Sequence, residues 1–212
     1  MTTVIAIDGP AGSGKSTIAQ ALARRIGVPH VDTGAYYRAL TLAVLRAGAD
    51  PDDPADVLDV LDGVTVRQRG DRTLLNGRDV EDAIRSDEVT SHVSTVAAHP
   101  RVRERLVAWQ RAAVDARGAV VEGRDAATVI VPDATLKVWL TATPAVRAAR
   151  RAAQWGTSDD DATVANVATQ LMARDHADRH NTFRAREAIE IDTTDLAVSE
   201  VVDRIVDLLP GP

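Results

Sequence analysis

The stretch VIAIDGPAGSGKST, Val4–Thr17, decides how this chain is read. Val4-Ile5-Ala6-Ile7 is a short β-branched apolar run, the pattern of a strand covered on both faces. Gly9-Pro10-Ala11-Gly12-Ser13-Gly14-Lys15-Ser16 then satisfies G-x-x-x-x-G-K-[ST]. Ile18, Leu22 and Ile26 follow at helical spacing, and Gly27 suits a left-handed cap. Glycines let the backbone curl so that its N–H groups converge on phosphate oxygens, and the helix N-terminus adds partial positive charge. The loop, with Thr17 behind it, is expected to hold a nucleoside triphosphate. Lys15 should reach the β- and γ-phosphates, and the Ser16 hydroxyl should ligate Mg²⁺.

Outward from the loop, His30-Val31 is a candidate second strand entering Asp32-Thr33-Gly34, and a helix from about Tyr36 places Leu40, Val44 and Leu45 on one face before Gly48. Asp50-Pro51-Asp52-Asp53-Pro54 is a turn cluster. From Val64 to Val80 the period changes. Val64 and Val66 alternate with polar residues, Arg69-Gly70-Asp71 reads as a turn, and Leu74-Leu75 precede Asn76-Gly77, a small antiparallel insert. A helical stretch runs from Val102 to Ala116. Ala119–Val121 and Leu136–Leu140 are further strand candidates, Thr143-Pro144 starts a helix, and Ser158-Asp159-Asp160-Asp161 reads as a mobile or solvated segment. Ile189–Ile191 is the last strand, before a closing helix with an apolar stripe over Val198, Val201, Val202, Ile205, Leu208 and Leu209. Strands alternating with helices predict an α/β fold whose parallel sheet is wrapped on both faces.

Composition narrows the partners. The formal net charge of −6 argues against a general nucleic-acid binder, and no apolar run approaches the roughly 18 residues of a membrane span. Cysteine is absent, which excludes thiol chemistry and disulfides and is compatible with the cytoplasm, the expected location. Lys15 and Lys137 are the only lysines among 25 basic residues, so arginines are the pool for forked phosphate contacts. Arg101, Arg103, Arg105 and Arg111 read as a solvated helix face, and Arg147, Arg150 and Arg151 as a salt-bridged helix surface. His176 and His180, four apart, read as exposed rather than metal-binding. Glu122 ends an apolar run, and a Walker-B-like role holding Mg²⁺ through water stands level with a structural one.

Five further stretches carry a resemblance: DTGAYYR (Asp32–Arg38), LNGRDVEDAIR (Leu75–Arg85), VSTVAAHPRVRERL (Val93–Leu106), VVEGRDAATVIVPDATLKVWLTAT (Val120–Thr143) and RDHADR (Arg174–Arg179). With the loop, they make nearly the whole chain similar to bacterial cytidylate kinases, of the nucleoside monophosphate kinase superfamily. The resemblance implies transfer of a phosphoryl group from ATP, with Mg²⁺, to CMP or dCMP. It implies a five-stranded parallel P-loop core over about 1–60, 90–153 and 186–212, an acceptor-binding insert over about 61–89 and a lid over about 154–185. It also implies an enzyme needing no nucleic acid or membrane, and a monomer is expected.

By motif position, Ser94, Arg103 and Asp125 would contact cytosine, and Arg38, Arg124 and Arg174 would hold the acceptor phosphate. Asp178 would lie near the sugar, Arg151 near the donor phosphates, and Thr33, Tyr37 and Gly123 beside the acceptor. Lys15, Arg124, Arg151 and Arg174 form the expected catalytic set. A carboxylate accepting from the exocyclic amine of cytosine, with donors for its ring O and N, is the chemistry such a base requires. The chain departs from the family pattern in two places. Gly123-Arg124-Asp125 runs on into Ala126-Ala127-Thr128, and Asn181 stands where the family carries an arginine, leaving Arg179 or Arg184 to provide that cation. A kinase for another small acceptor, or a nucleotide-binding switch, are the alternatives.

Overall fold

Five parallel strands make the central sheet of the computed structural model: β1 (Thr3–Asp8), β2 (His30–Asp32), β6 (Gly118–Gly123), β7 (Leu136–Thr141) and β8 (Ile189–Asp192). They lie side by side in the order β2-β6-β1-β7-β8. Residues 3–114, 116–154 and 161–210 are described; Ser158-Asp159-Asp160, most of the acidic segment expected to be solvated, lies outside them, as does part of the lid range.

The apolar runs are explained by burial on both faces. Ile5 and Ile7 of β1 join Val120, Val138 and Leu140 in one core, closed by α1 (Lys15–Ile26) and α8 (Val198–Asp207). Ala6 points the other way, into a second core with Val31, Ala119 and Val121, covered by α2 (Thr33–Ala47), α4 (Asp87–Ala98) and α5 (Pro100–Ala112). A third, small cluster packs Ala11 of the glycine loop against Ala148 and Ala152 of α6 (Pro144–Gln154) and Val167 and Leu171 of α7 (Asp161–Asp178).

The insert is a separate antiparallel sheet of β3 (Val66–Arg69), β4 (Arg72–Leu75) and β5 (Arg78–Asp79), with Asn76-Gly77 turning the chain between the last two. Gln68 ties it to the core. Its side chain accepts from the Asp32 N–H at 3.1 Å and donates to the Asp32 carbonyl at 2.7 Å.

Helix boundaries follow their caps. α2 begins at Thr33, ahead of the expected Tyr36, because the Asp32 carboxylate accepts the Ala35 N–H at 3.0 Å. α5 begins and ends earlier than the predicted 102–116, since Pro100 provides a pre-set first turn. Three helices go beyond the sequence expectation, α7 within the expected lid range and two with clear caps. α3 (Pro54–Asp62) grows from the turn cluster, where Asp53 accepts the Ala55 N–H at 2.8 Å, and α4 is capped by Ser86, which accepts from Val89 at 3.3 Å. Among the described residues no helix is long and apolar enough to cross a membrane.

Candidate active site

β1 delivers the chain to the glycine loop at the carboxyl edge of the sheet, where ligands of open α/β sheets bind. Gly9 leaves the strand with φ 153°, and a Cβ there would stand 2.1 Å from the Leu140 carbonyl oxygen, so only glycine passes. Lys15 folds over the loop and donates to the Pro10 carbonyl at 2.7 Å. Burial and the neighbouring Arg124 pull its ammonium pKa down to about 7, against the opposing charges of Glu122 and Asp8. Ser13 is fully buried with its hydroxyl unpartnered.

One cleft gathers the ends of three strands: Ala11, Gly12 and Gly14–Thr17 after β1, Asp32–Gly34 after β2, and Glu122–Asp125 after β6. Tyr37, Arg38, Ser94, Arg103, Arg151, Arg174 and Asp178 complete its walls. Every site residue expected from the sequence therefore converges on this cleft; Gly9, Pro10 and Ser13 belong to the loop itself rather than to its lining.

The cleft is crowded with cations. Arg38 is buried, donating to the Ile84 carbonyl and the Thr90 hydroxyl, each at 3.0 Å. Burial, with Arg174 and Arg85 nearby, pulls its pKa down to about 9. Burial and Arg124 pull Arg174 down to about 10, and burial and Arg85 lower Arg151. The Nε atom of Arg174 is buried without a hydrogen bond, 3.8 Å from the Asp178 carboxylate. Cations that depress one another's pKa in a shared low-dielectric cleft are stabilised by a polyanion placed among them.

Other charges in the lining are paired. Arg103 forms an ion pair with Asp125 and lies 5.7 Å over the Tyr37 ring. Burial raises the Asp125 pKa, and Arg103 opposes that rise. Asp178 accepts from the Ser94 hydroxyl at 2.8 Å and pairs with Arg124 at 3.0 Å, while Arg124 also donates to the Gly9 carbonyl at 3.1 Å. Glu122 accepts from the Ser16 hydroxyl at 3.0 Å and hydrogen-bonds His30 Nε2 at 3.1 Å. The Thr33 hydroxyl donates to the Glu122 carbonyl at 2.7 Å, and a Cβ at Gly123 would stand 2.4 Å from that hydroxyl oxygen.

Several partners carry no signal that singles them out in the sequence. Arg85 lines the cleft and bonds Asp32 at 2.9 Å; it ends one of the family-like stretches, but nothing there sets this arginine apart. Arg147 is salt-bridged, to Asp175, but not on a surface: it is buried and also donates to the Ala11 carbonyl at 3.0 Å. Arg103 likewise leaves the expected solvated helix face, half-buried against Asp125. Asn181 lines the cleft, whereas Arg179 hydrogen-bonds the exposed His176 and His180 and Arg184 pairs with Glu190. Neither Arg179 nor Arg184 lines the cleft.

Asp8 supports this wall from behind. Its buried carboxylate accepts the N–H groups of Ala126 and Ala127, each at 2.8 Å, fixing the wide turn over Ala126–Ile130 that follows Asp125. Burial pushes its pKa up to about 6 from 3.8, against the pull of those two hydrogen bonds. A carboxyl raised on folding contributes most stability below pH 3.8 and loses it as pH rises through 6. In urea titrations the wild type should lose about 2 kcal/mol relative to Asp8→Asn between pH 4 and pH 7, at 1.36 kcal/mol per pKa unit. A flat difference curve contradicts the assignment.

The cytidylate kinase family model matches residues 5–210. A cytidylate kinase of Mycobacterium leprae is 45% identical over 97% of this chain and 95% of its own length. One of Mycobacterium avium is 46% identical over 97% and 94%, and one of a Geobacillus strain 40% over 97% and 95%. Among solved structures, an uncharacterized protein of Eubacterium ventriosum superposes with a TM-score of 0.50 at 16% identity, covering 97% of both chains, a likeness of fold alone. A phosphate loop, a cation-lined cleft and a family match running from β1 to beyond α8 agree with one another, and the chain belongs to the cytidylate kinase family.

Proposed function

We infer that the protein transfers the γ-phosphoryl group of ATP to CMP or dCMP, giving ADP and CDP or dCDP. The observation that carries this reading is the polarity of the cleft. Mutually destabilised cations gather among its lining residues, and the carboxylate–guanidinium pair Asp125–Arg103 lines it as well. Two polyanions fit the first, and a pyrimidine with an exocyclic amine fits the second.

In this reading Gly9–Thr17 cradle the ATP phosphates and Lys15 spans their β- and γ-groups. The depressed pKa of Lys15 recovers as phosphate charge arrives. Arg38, Arg124 and Arg174 hold the acceptor phosphate, with the unpartnered Nε of Arg174 available to it. Arg151 approaches the donor side, Asp178 the sugar, and Ser94, Arg103 and Asp125 the base, with Thr33, Tyr37 and Gly123 as the surrounding wall. A phosphate monoester has its second pKa near 6, so at pH 7 an acceptor oxygen is already a nucleophile and no general base is required. It forms a bond to the γ-phosphorus as the bond to the β-bridging oxygen breaks, and ADP leaves. The residues contribute alignment and charge neutralisation.

Mg²⁺ fits the same edge. Ser16 Oγ and Glu122 offer hard oxygen donors 3.0 Å apart, and no cluster of three metal-ligating side chains occurs among the described residues. That donor set suits an ion that keeps waters and phosphate oxygens as its other ligands. When bound, Mg²⁺ would neutralise charge on the triphosphate; Ser16 would hold it directly and Glu122 through water. The insert over about 61–89 is read as the acceptor-side subdomain and about 154–185 as the lid.

An acceptor panel tests the assignment. With ATP and Mg²⁺, kcat/KM for CMP and dCMP should exceed that for AMP, GMP and UMP by at least about an order of magnitude, as expected of a site that leaves polar groups unpaired with the wrong base. Equal turnover across the panel, or a different small acceptor outperforming CMP, overturns it.

A further inference from the structure

We propose that Asp175 is a positioning residue for the donor side, locking the lid helix α7 to the outer lip of the phosphate loop. This rests on the reading of that loop as the ATP site. Asp175 Oδ1 accepts the Ala11 N–H at 3.1 Å, and Oδ2 accepts from the Arg147 guanidinium. The same Arg147 nitrogen donates to the Ala11 carbonyl at 3.0 Å. Both polar groups of one loop residue are thus held by a single carboxylate–guanidinium pair that bridges α6 and α7. Packing reinforces the lock. Ala11 sits in the cluster of Ala148, Ala152, Val167 and Leu171, and a Cβ on Gly12 would stand 3.0 Å from the Arg147 carbonyl oxygen.

Two roles suit a carboxylate beside a phosphate loop. It can occupy the phosphate position as a stand-in anion, or it can brace the loop from behind. Ala11 and Gly12 line the cleft, but neither Asp175 nor Arg147 does, which makes Asp175 a brace. Its charge is matched by Arg147, so it adds little repulsion toward an incoming triphosphate. Along α7, Leu171, Arg174, Asp175 and Asp178 recur at three- and four-residue spacing, one face of the helix. Fixing Asp175 therefore also fixes where Arg174 and Asp178 enter the cleft. Asp175 lies 3.6 Å from Arg124 as well, so the lock reaches the acceptor cations.

Binding of a fluorescent ATP analogue without any acceptor reads this role directly. Asp175→Asn retains an oxygen for the Ala11 N–H but loses the charge, and should weaken analogue binding about tenfold, the scale of coupling within one polar network. Asp175→Ala should weaken it further, and Asp175→Glu should recover part of the loss. In turnover, KM for ATP should rise several times more than KM for CMP, whose acceptor cations Asp175 reaches only through Arg124 and its neighbours on α7. Unchanged or tighter analogue binding by folded Asp175→Asn overturns the brace, as does an equal rise in both KM values. Because the analogue assay omits the acceptor, a wrong acceptor assignment leaves its outcome intact, whereas wild-type protein failing to bind the analogue removes the ATP-site reading itself.

Discussion

Replacing Arg124 by alanine is expected to lower kcat by about 10³-fold, the lower end of what an arginine at a transferring phosphoryl group contributes. Arg124 stands where both halves of the reaction meet. One nitrogen binds the Gly9 carbonyl at the start of the donor loop, and another pairs with Asp178 on the lid helix. Its charge also presses on Lys15 and Arg174, lowering the pKa of each, so it already shares their space. In the proposed reaction, charge on the transferring group would grow between those cations, and the arginine fork would stabilise it without moving. Folding should survive the loss. Gly9 is seated against β7 by backbone shape, and Asp178 keeps the Ser94 hydroxyl and the nearby Arg174. Arg124→Lys should restore no more than about tenfold, because a compact ammonium cannot make the forked contact. Steady-state kinetics beside a thermal melt decide the matter: kcat within tenfold of wild type, on a folded protein, would remove Arg124 from the reaction.

What the sequence makes legible and what it hides divide along physical lines. The loop is readable because its chemistry is local: glycines, lysine and serine act within eight residues of one another, between a strand and a helix. The central strands β1 and β6 are readable because burial on both faces leaves continuous apolar runs, while the edge strands β2 and β8 offer only one or two apolar residues each. The base-recognition residues are reached only through family resemblance, since Arg103 and Asp125 come together from α5 and the end of β6. Arg147 misleads for a related reason. Three arginines within five helical residues resemble a salt-bridged helix surface, and only the fold shows one of them buried and donating to Ala11, 136 positions away. The His30–Glu122 contact depends on strand register, with Asp32 opposite Glu122 across β2 and β6, which no local pattern encodes. The helices α3 and α4 carry caps at Asp53 and Ser86, but two prolines among three aspartates make Asp50–Pro54 look like a turn alone.

Asp125→Ala should collapse base discrimination rather than phosphoryl transfer as such. The kcat/KM for CMP is expected to fall about 10³-fold, while the value for UMP changes severalfold at most, in keeping with sites that reject a ligand leaving buried polar groups unpaired. The asymmetry follows from donor and acceptor direction. Cytosine presents an amine that a carboxylate accepts, whereas uracil presents an oxygen that a carboxylate repels. Removing the carboxylate therefore takes a favourable partner from CMP and an unfavourable one from UMP. Arg103 is then released from its ion pair but stays stacked over Tyr37, still a donor and now unopposed, which favours a carbonyl at the base edge. Asp125→Asn should fall between the two, since its amide retains an acceptor and gains a donor. The cations proposed to align the phosphates make no ion pair with Asp125, so kcat at saturating acceptor should drop far less than kcat/KM. If the CMP-to-UMP ratio stays within threefold of wild type in Asp125→Ala, the Asp125–Arg103 pair is a structural clasp and the base is read elsewhere.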